Sequence, residues 1–205
     1  MNNTKQKILA EALSLFSERG FHSVSVKEIA EAVGIRDSTI YKHFTSKQEI
    51  FDTIIQLVSE QTQQIYQTIP MPGRENTAAE YAVMALGTLE ELCYQLFMFY
   101  LQDEVVSKFR RMLTVEQYGN LEASRLFRQF FIEEPLAYEA GLFRSLKDMG
   151  VFVDADPEVM ALHFYSPLFL MLSRFDHREV GPEEIRPAIK SHIEAFSRSY
   201  SKDKT

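Results

Sequence analysis

Between Ser25 and Phe51 the chain reads SVKEIAEAVGIRDSTIYKHFTSKQEIF, and its caps, turn residues and polar side chains spell a short helix, a tight turn and a second short helix. Ser25 and Glu28 make a capping box, in which hydroxyl and carboxylate each accept a backbone N–H at the helix start. A helix therefore begins at Val26, turns Ile29, Ala30 and Val33 to one apolar face, and stops at Gly34, where a left-handed residue is needed. After the turn Gly34-Ile35-Arg36, a second helix is expected over about Asp37 to Phe44 with Asp37 as its N-cap. It has only Ile40 and Phe44 to bury and leaves Arg36, Ser38, Thr39, Tyr41, Lys42 and His43 largely outward. A helix this short does not form in isolation, so neighbours must hold it. A polar helix carried on a rigid frame is what the recognition helix of a helix-turn-helix requires to enter the major groove of DNA.

The neighbours are visible on both sides. Asn3 and Gln6 can cap a first helix with an apolar stripe of Ile8, Leu9, Ala12, Leu13 and Phe16, closing at Gly20. Ser46 and Glu49 form another capping box and open a long helix from about Lys47 to Ile69, which Pro70 ends. The three helices of the head enclose Phe16, Ile29, Val33, Ile40, Phe44 and Phe51.

From the first helix through Phe51 the chain resembles the tetracycline-repressor (TetR/AcrR) family of bacterial transcription regulators. The resemblance lies in Ala12-x-x-Leu15-Phe16-x-x-x-Gly20-Phe21, Ile29-Ala30-x-x-x-Gly34-Ile35 and Ile40-Tyr41-x-x-Phe44-x-x-Lys47. It covers about the first quarter of the chain. It implies a homodimer that binds a double-stranded operator through two such heads, commonly as a repressor, and lets go when a small molecule occupies the larger domain. Family members more often carry Ser or Ala, a basic residue, then Gly or Ala where this chain has Arg36, Asp37 and Ser38. The operator sequence therefore does not carry over.

The formal net charge of −7 argues against DNA until its distribution is considered. Residues 1 to 50 carry +1 and the remainder −8. Long-range fields are screened over about 10 Å at 0.1 M salt, so affinity must come from local contacts. Phosphate contacts are expected from Ser25, Lys27, Tyr41, His43 and Lys47, and the resemblance assigns that part to Tyr41 and Lys47 as well. Base contacts are expected from Arg36, Ser38, Thr39 and Lys42. Tyr41 has a competing use as an amphipathic side chain packed on the head's core.

The remainder, residues 77 to 205, reads as helices throughout, after a boundary at Pro70-Met71-Pro72-Gly73-Arg74-Glu75-Asn76. The whole chain is therefore expected to be all-α, with nine or ten helices: a head over 1–50, with its helix-turn-helix at about 25–44, a connecting helix over 47–69 and a helical domain over 77–205. Thr77 and Glu80 cap a helix to about Leu101. Others follow from Asp103 to about Tyr118, from Asn120 to Glu134, and from Pro135 to Gly150. Asp156-Pro157 opens the next, and Pro182 or Pro187 the last.

Aromatic residues crowd this part of a chain that is 45% apolar and 12% aromatic. Any one of them is most simply a core residue. Taken with the resemblance, Phe97, Tyr100, Phe109, Met112, Phe127, Phe131, His163 and Tyr165 are the candidates to line a pocket for a small apolar or aromatic effector. The resemblance also implies that the last two helices pair with their mates, for which Val159, Leu162, Leu168, Phe169, Leu172, Ile189, Ile193 and Phe196 are the candidates. Pro167 is expected to kink the first of these two helices.

No apolar run approaches membrane-spanning length, and Met1 is followed by a polar helix, so a cytoplasmic protein is expected. The single cysteine, Cys93, suits a reducing compartment and reads as a buried apolar residue. No metal or cofactor motif is present. An all-helical enzyme is the remote alternative, since there is no glycine-rich phosphate loop, zinc motif or nucleophile motif. A DNA-binding regulator without small-molecule control is the nearer one.

Overall fold

A computed structural model describes residues 3–68, 77–176 and 181–202. These form eleven α-helices and one π-helical turn, so the chain is all-α; among the described residues the only β pairing is an isolated bridge between Phe152 and Ser201. No helix of the described residues is long and apolar enough to cross a membrane. The expected boundary from Pro70 to Asn76 lies outside the described residues.

Two compact units arise, Met1–Gln67 with Asp103–Arg128, and Thr68–Gln102 with Gln129–Thr205. The first unit contains α1 (Asn3–Arg19), α2 (Val26–Val33), α3 (Asp37–Ile40), nearly all of α4 (Lys47–Thr68), α7 (Glu104–Glu116) and α8 (Leu121–Arg128). Its core holds Ile8, Ala12, Phe16, Ile29, Ile40, Phe44, Ile50 and Phe51, each almost fully buried. Phe16, Phe21 and Phe51 meet at its centre with ring centroids 5.0 to 6.1 Å apart. The sequence places residues 103–128 with the second domain. In the structure α7 packs on α1 and buries Val106, Phe109, Met112, Leu113 and Glu116.

Gly20 permits that packing. It ends α1 with φ +79°, and a Cβ there would lie 3.0 Å from Glu116 Oε1 and 3.2 Å from Val115 Cγ1. A side chain would crowd the Glu116 and Val115 side chains, which would have to give by a few tenths of an ångström, and would strain the left-handed backbone.

The second unit is built from α5 (Thr77–Ala82), α6 (Leu86–Gln102), the π-helical turn Gln129–Glu133, α9 (Glu134–Asp148), α10 (Pro157–Phe175) and α11 (Pro182–Tyr200). Its core joins Phe97, Phe143, Met160, Phe164, Ile185, Ile189, Ile193 and Phe196, with Phe164 and Phe196 centroids 5.0 Å apart.

Three boundaries differ from the sequence expectation. The helix expected from Thr77 to Leu101 breaks at Val83–Ala85, which lets the short α5 lay Ala78, Tyr81 and Ala82 against the core where it meets α9. The break expected at Pro135 is instead a π-helical turn leading directly into α9, with Pro135 in its first turn. Pro135 has no N–H to offer the Phe131 carbonyl four residues back, and the Tyr165 hydroxyl donates to that carbonyl at 2.8 Å. Pro167 lies inside α10, which remains helical through Phe175, while Pro182 rather than Pro187 starts α11.

Candidate nucleic-acid interface

The interface is assembled on the frame of α1, α2 and α4. Ser25 Oγ accepts from Glu28 N–H at 3.2 Å, and the Glu28 carboxylate accepts from Ser25 N–H at 2.8 Å and from the Ser25 hydroxyl at 2.7 Å. Arg19 adds an ion pair at 2.6 Å. The Ser25 hydrogen bonds, backbone first, together with Arg19 hold the Glu28 pKa down at about 2. Gly34 ends α2 at φ 76° and ψ 34°, and the Ile35 N–H bonds the Ala30 carbonyl at 2.9 Å. This αL stop turns the chain into α3.

The recognition helix is shorter than its sequence suggests. α3 covers Asp37–Ile40, and Tyr41, Lys42 and His43 continue as turns held by Lys42 N–H to Thr39 O and His43 N–H to Ile40 O, at 3.2 and 2.8 Å. Asp37 is its first helical residue rather than its N-cap; Arg36 holds the cap position without a side-chain hydrogen bond. The Asp37 carboxylate therefore faces the positive end of the helix in the first turn. The segment contains only two residues to anchor, and both are deeply buried: Ile40 and Phe44 are each 1% exposed.

The next helix keeps Ser46 as its cap, while the return contact of Glu49 falls one residue further back than expected. Glu49 N–H does donate to Ser46 Oγ at 3.1 Å, but the Glu49 carboxylate takes the N–H and hydroxyl of Thr45, at 2.6 and 2.8 Å.

Ser25, Lys27, Arg36, Ser38, Tyr41 and Lys42 are exposed, and Thr39, His43 and Lys47 partly so. Tyr41 is 57% exposed, which removes its competing use as a core residue. Lys27 makes a loose 3.8 Å pair with Glu31. Lys47 is differently employed: its ammonium donates to Phe21 O at 2.6 Å and Val24 O at 2.7 Å and lies 4.3 Å from the centre of the Phe21 ring. Burial lowers its pKa, against the attraction of Glu116 and Glu28. Two of its three donors thus brace the α1–α2 turn.

The residue that sequence reading missed is Glu116. It is 4% exposed at the end of α7, and its carboxylate accepts the Phe21 N–H at 2.6 Å. A lone glutamate 95 residues away in sequence carries no pattern that would reveal this.

The other expected sites are dispersed. Phe109, Met112 and Phe127 are buried in the first unit, whereas Phe97, Tyr100, Phe131, His163 and Tyr165 belong to the second. Tyr100 meets Phe131 edge to face at 6.3 Å, and Tyr165 stacks on Phe169 at 5.9 Å. His163 is not enclosed: it is exposed on α10 and hydrogen-bonded to the Tyr200 hydroxyl. Leu172, Ile189, Ile193 and Phe196 are buried in the second unit's own core, correcting their expected placement on an outward face. Leu168 and Phe169 are half-buried, while Val159 and Leu162 remain outward, joined by Leu170 at 69% exposure. Helical periodicity shows that α10 and α11 are rich in apolar residues but not which stripe the fold takes for itself.

The family model described as bacterial regulatory proteins, tetR family, matches residues 8–54. The chain is 44% identical over 52 residues to the HTH-type transcriptional regulator UidR of Escherichia coli strain K12, covering 25% of this chain and 26% of UidR. It is 31% identical over 132 residues to the HTH-type transcriptional regulator AcrR of Shigella flexneri, covering 58% and 61% of the two chains. The match thus spans about a quarter of UidR's length and about three fifths of AcrR's. The fold is similar to that of a SmeT–triclosan complex, SmeT being the repressor of a Stenotrophomonas maltophilia multidrug efflux pump. The TM-score is 0.65 at 19% identity, over 98% of this chain and 93% of that one.

Proposed function

Because the head of this chain belongs to the tetR family of bacterial regulatory proteins, we propose that the protein is a sequence-specific DNA-binding transcriptional regulator, a repressor that binds a palindromic operator as a homodimer and is released by a small apolar or aromatic effector. The observation that carries this reading is the exposure of Arg36, Ser38, Tyr41 and Lys42 on a segment anchored by the buried Ile40 and Phe44. Arg36, Ser38, Thr39 and Lys42 read bases. A well-placed bidentate contact from Arg or Lys to guanine contributes about 1–3 kcal/mol of discrimination. Ser25, Lys27, Tyr41 and His43 contact phosphates, joined by the remaining donor of Lys47.

The head over residues 1–50 binds DNA with α7 packed in the same compact unit, and the second unit, built on α6, α9, α10 and α11, supplies effector binding and dimerisation. The dimer forms through the outward stripe Val159, Leu162 and Leu170 of α10 and the small exposed residues Ser191, Ala195 and Ser199 of α11, which allow close helix approach. Two heads then enter successive major grooves about 34–36 Å apart. Phe97, Tyr100, Phe131 and Tyr165 contribute to the effector site; that a protein of similar fold is described with triclosan supports an aromatic ligand. Effector binding changes head spacing with a coupling of about 1–3 kcal/mol.

The test is selection of binding sites from a random DNA pool by wild type, Tyr41→Ala and Arg36→Ala in parallel. A palindrome with half-sites one helical turn apart is expected for wild type, weaker recovery of the same motif for Tyr41→Ala and an altered motif for Arg36→Ala. No motif with wild type, or an equal loss on all sequences with Arg36→Ala, overturns the corresponding assignment.

A further inference from the structure

Phe21, in the turn between α1 and α2, is held through both of its backbone groups by side chains of opposite charge. Its N–H donates to the Glu116 carboxylate of α7 at 2.6 Å, and its carbonyl accepts from the Lys47 ammonium of α4 at 2.6 Å. Lys47 also donates to the Val24 carbonyl at 2.7 Å, and its ammonium lies 4.3 Å from the centre of the Phe21 ring. That ring is fixed in turn, 5.4 Å from Phe16 and 5.0 Å from Phe51 between centroids. Glu116 and Phe21 are both buried, and the carboxylate reaches the N–H because Gly20 has no side chain in its way.

An ammonium group carries three N–H donors. With two of them directed at fixed carbonyls the direction of the third is determined, and the partial exposure of Lys47 leaves that donor within reach of a phosphate. The arrangement depends on the turn, and the turn depends on Glu116. Without its acceptor the buried Phe21 N–H must turn toward another partner, carrying the Phe21 carbonyl and ring away from Lys47. Resting on the reading of the head as a DNA-binding unit, we propose that Glu116 is a positioning residue for DNA binding: through Phe21 it aims the third donor of Lys47 at the phosphate backbone. An exposed glutamate would repel that backbone. Glu116 instead assists binding from a buried place on α7, a helix that carries none of the expected DNA contacts.

The experiment is the salt dependence of binding by the full chain to a fluorescently labelled duplex of mixed sequence, followed by anisotropy. Binding to phosphates is independent of sequence, and the slope of log K against log salt is about −0.9 for each phosphate neutralised. Lys47→Met, which keeps an apolar stem on the Phe21 ring but has no donor, is expected to make the slope shallower by about 0.9 for each head. Glu116→Ala is expected to lose the same amount although it removes a negative charge, and the two substitutions together no more than Lys47→Met alone. Glu116→Gln, whose amide oxygen still accepts the Phe21 N–H, is expected to keep the wild-type slope. A loss of stability alone leaves the slope of the folded protein unchanged. Circular dichroism establishes folding, and Glu116→Asp, which draws the carboxylate back by one methylene, takes the place of the alanine variant if that does not fold. A wild-type slope in the folded variant, or a further loss in the double variant, overturns the proposal while wild-type binding leaves the regulator reading standing. No binding of the duplex by wild type overturns the regulator reading and the proposal with it.

Discussion

Replacing Glu116 with alanine is expected to unlock the head from α7. The wild-type carboxylate is nearly inaccessible and accepts the Phe21 N–H at 2.6 Å, while Gly20 beside it leaves no side chain to fill the space. Truncation leaves a buried N–H without its acceptor, which costs about 1–3 kcal/mol. The lost packing of the side chain adds about 1 kcal/mol. Lys47 also loses an attraction that favours its charged form while it holds Phe21 O and Val24 O. The expected loss is about 2–4 kcal/mol, a large share of the roughly 5–15 kcal/mol by which a domain is stable. Urea denaturation followed by circular dichroism, at one protein concentration for all variants, measures it. Amide exchange at Phe21 localises it: protection should fall in Glu116→Ala and persist in Glu116→Gln, whose amide oxygen still accepts the bond. A loss below about 0.5 kcal/mol in the alanine variant, within the range of ordinary surface substitutions, would refute the reasoning. So would unchanged Phe21 protection in that variant.

Gly34→Ala should lower stability by about 1–2 kcal/mol in the same denaturation assay, because φ is 76° and a methyl group there meets nothing within 4 Å, leaving only the left-handed backbone cost. An unchanged midpoint would mean that the turn relaxes to another conformation. Glu28 has a folded pKa of about 2, set by Ser25 and Arg19, below the unfolded value of about 4.3. Its contribution is therefore present above the unfolded pKa and lost as pH falls through that value towards about 2. Glu28→Gln should remove this part of the acid limb in a series of denaturation midpoints between about pH 5 and pH 2, and identical slopes in the two proteins would contradict it.

The head was legible because its information is local. The capping box at Ser25, the αL stop at Gly34 and the apolar anchors Ile40 and Phe44 act within a few residues, and each was found where the side-chain spacing put it. The outward positions of Arg36, Ser38 and Lys42 follow from the same spacing. Finer choices were not legible although they too are local: the recognition helix ends at Ile40 rather than Phe44, and the Glu49 carboxylate takes Thr45 rather than Ser46, because hydrogen bonds three or four residues apart compete to close these turns.

Helical periodicity, caps and turn glycines are short-range properties, so an all-helical chain with a helix-turn-helix near its start is written in the order of the residues alone. Which helix lies against which is settled by the packing. It assigned α7 to the head through Glu116, Gly20 and α1, and it split the aromatic candidates between two units. It sent Leu172, Ile189, Ile193 and Phe196 inward while leaving Val159, Leu162 and Leu170 outside. A helix rich in apolar residues can satisfy the hydrophobic effect with either of two stripes, and only the packing of distant helices selects between them.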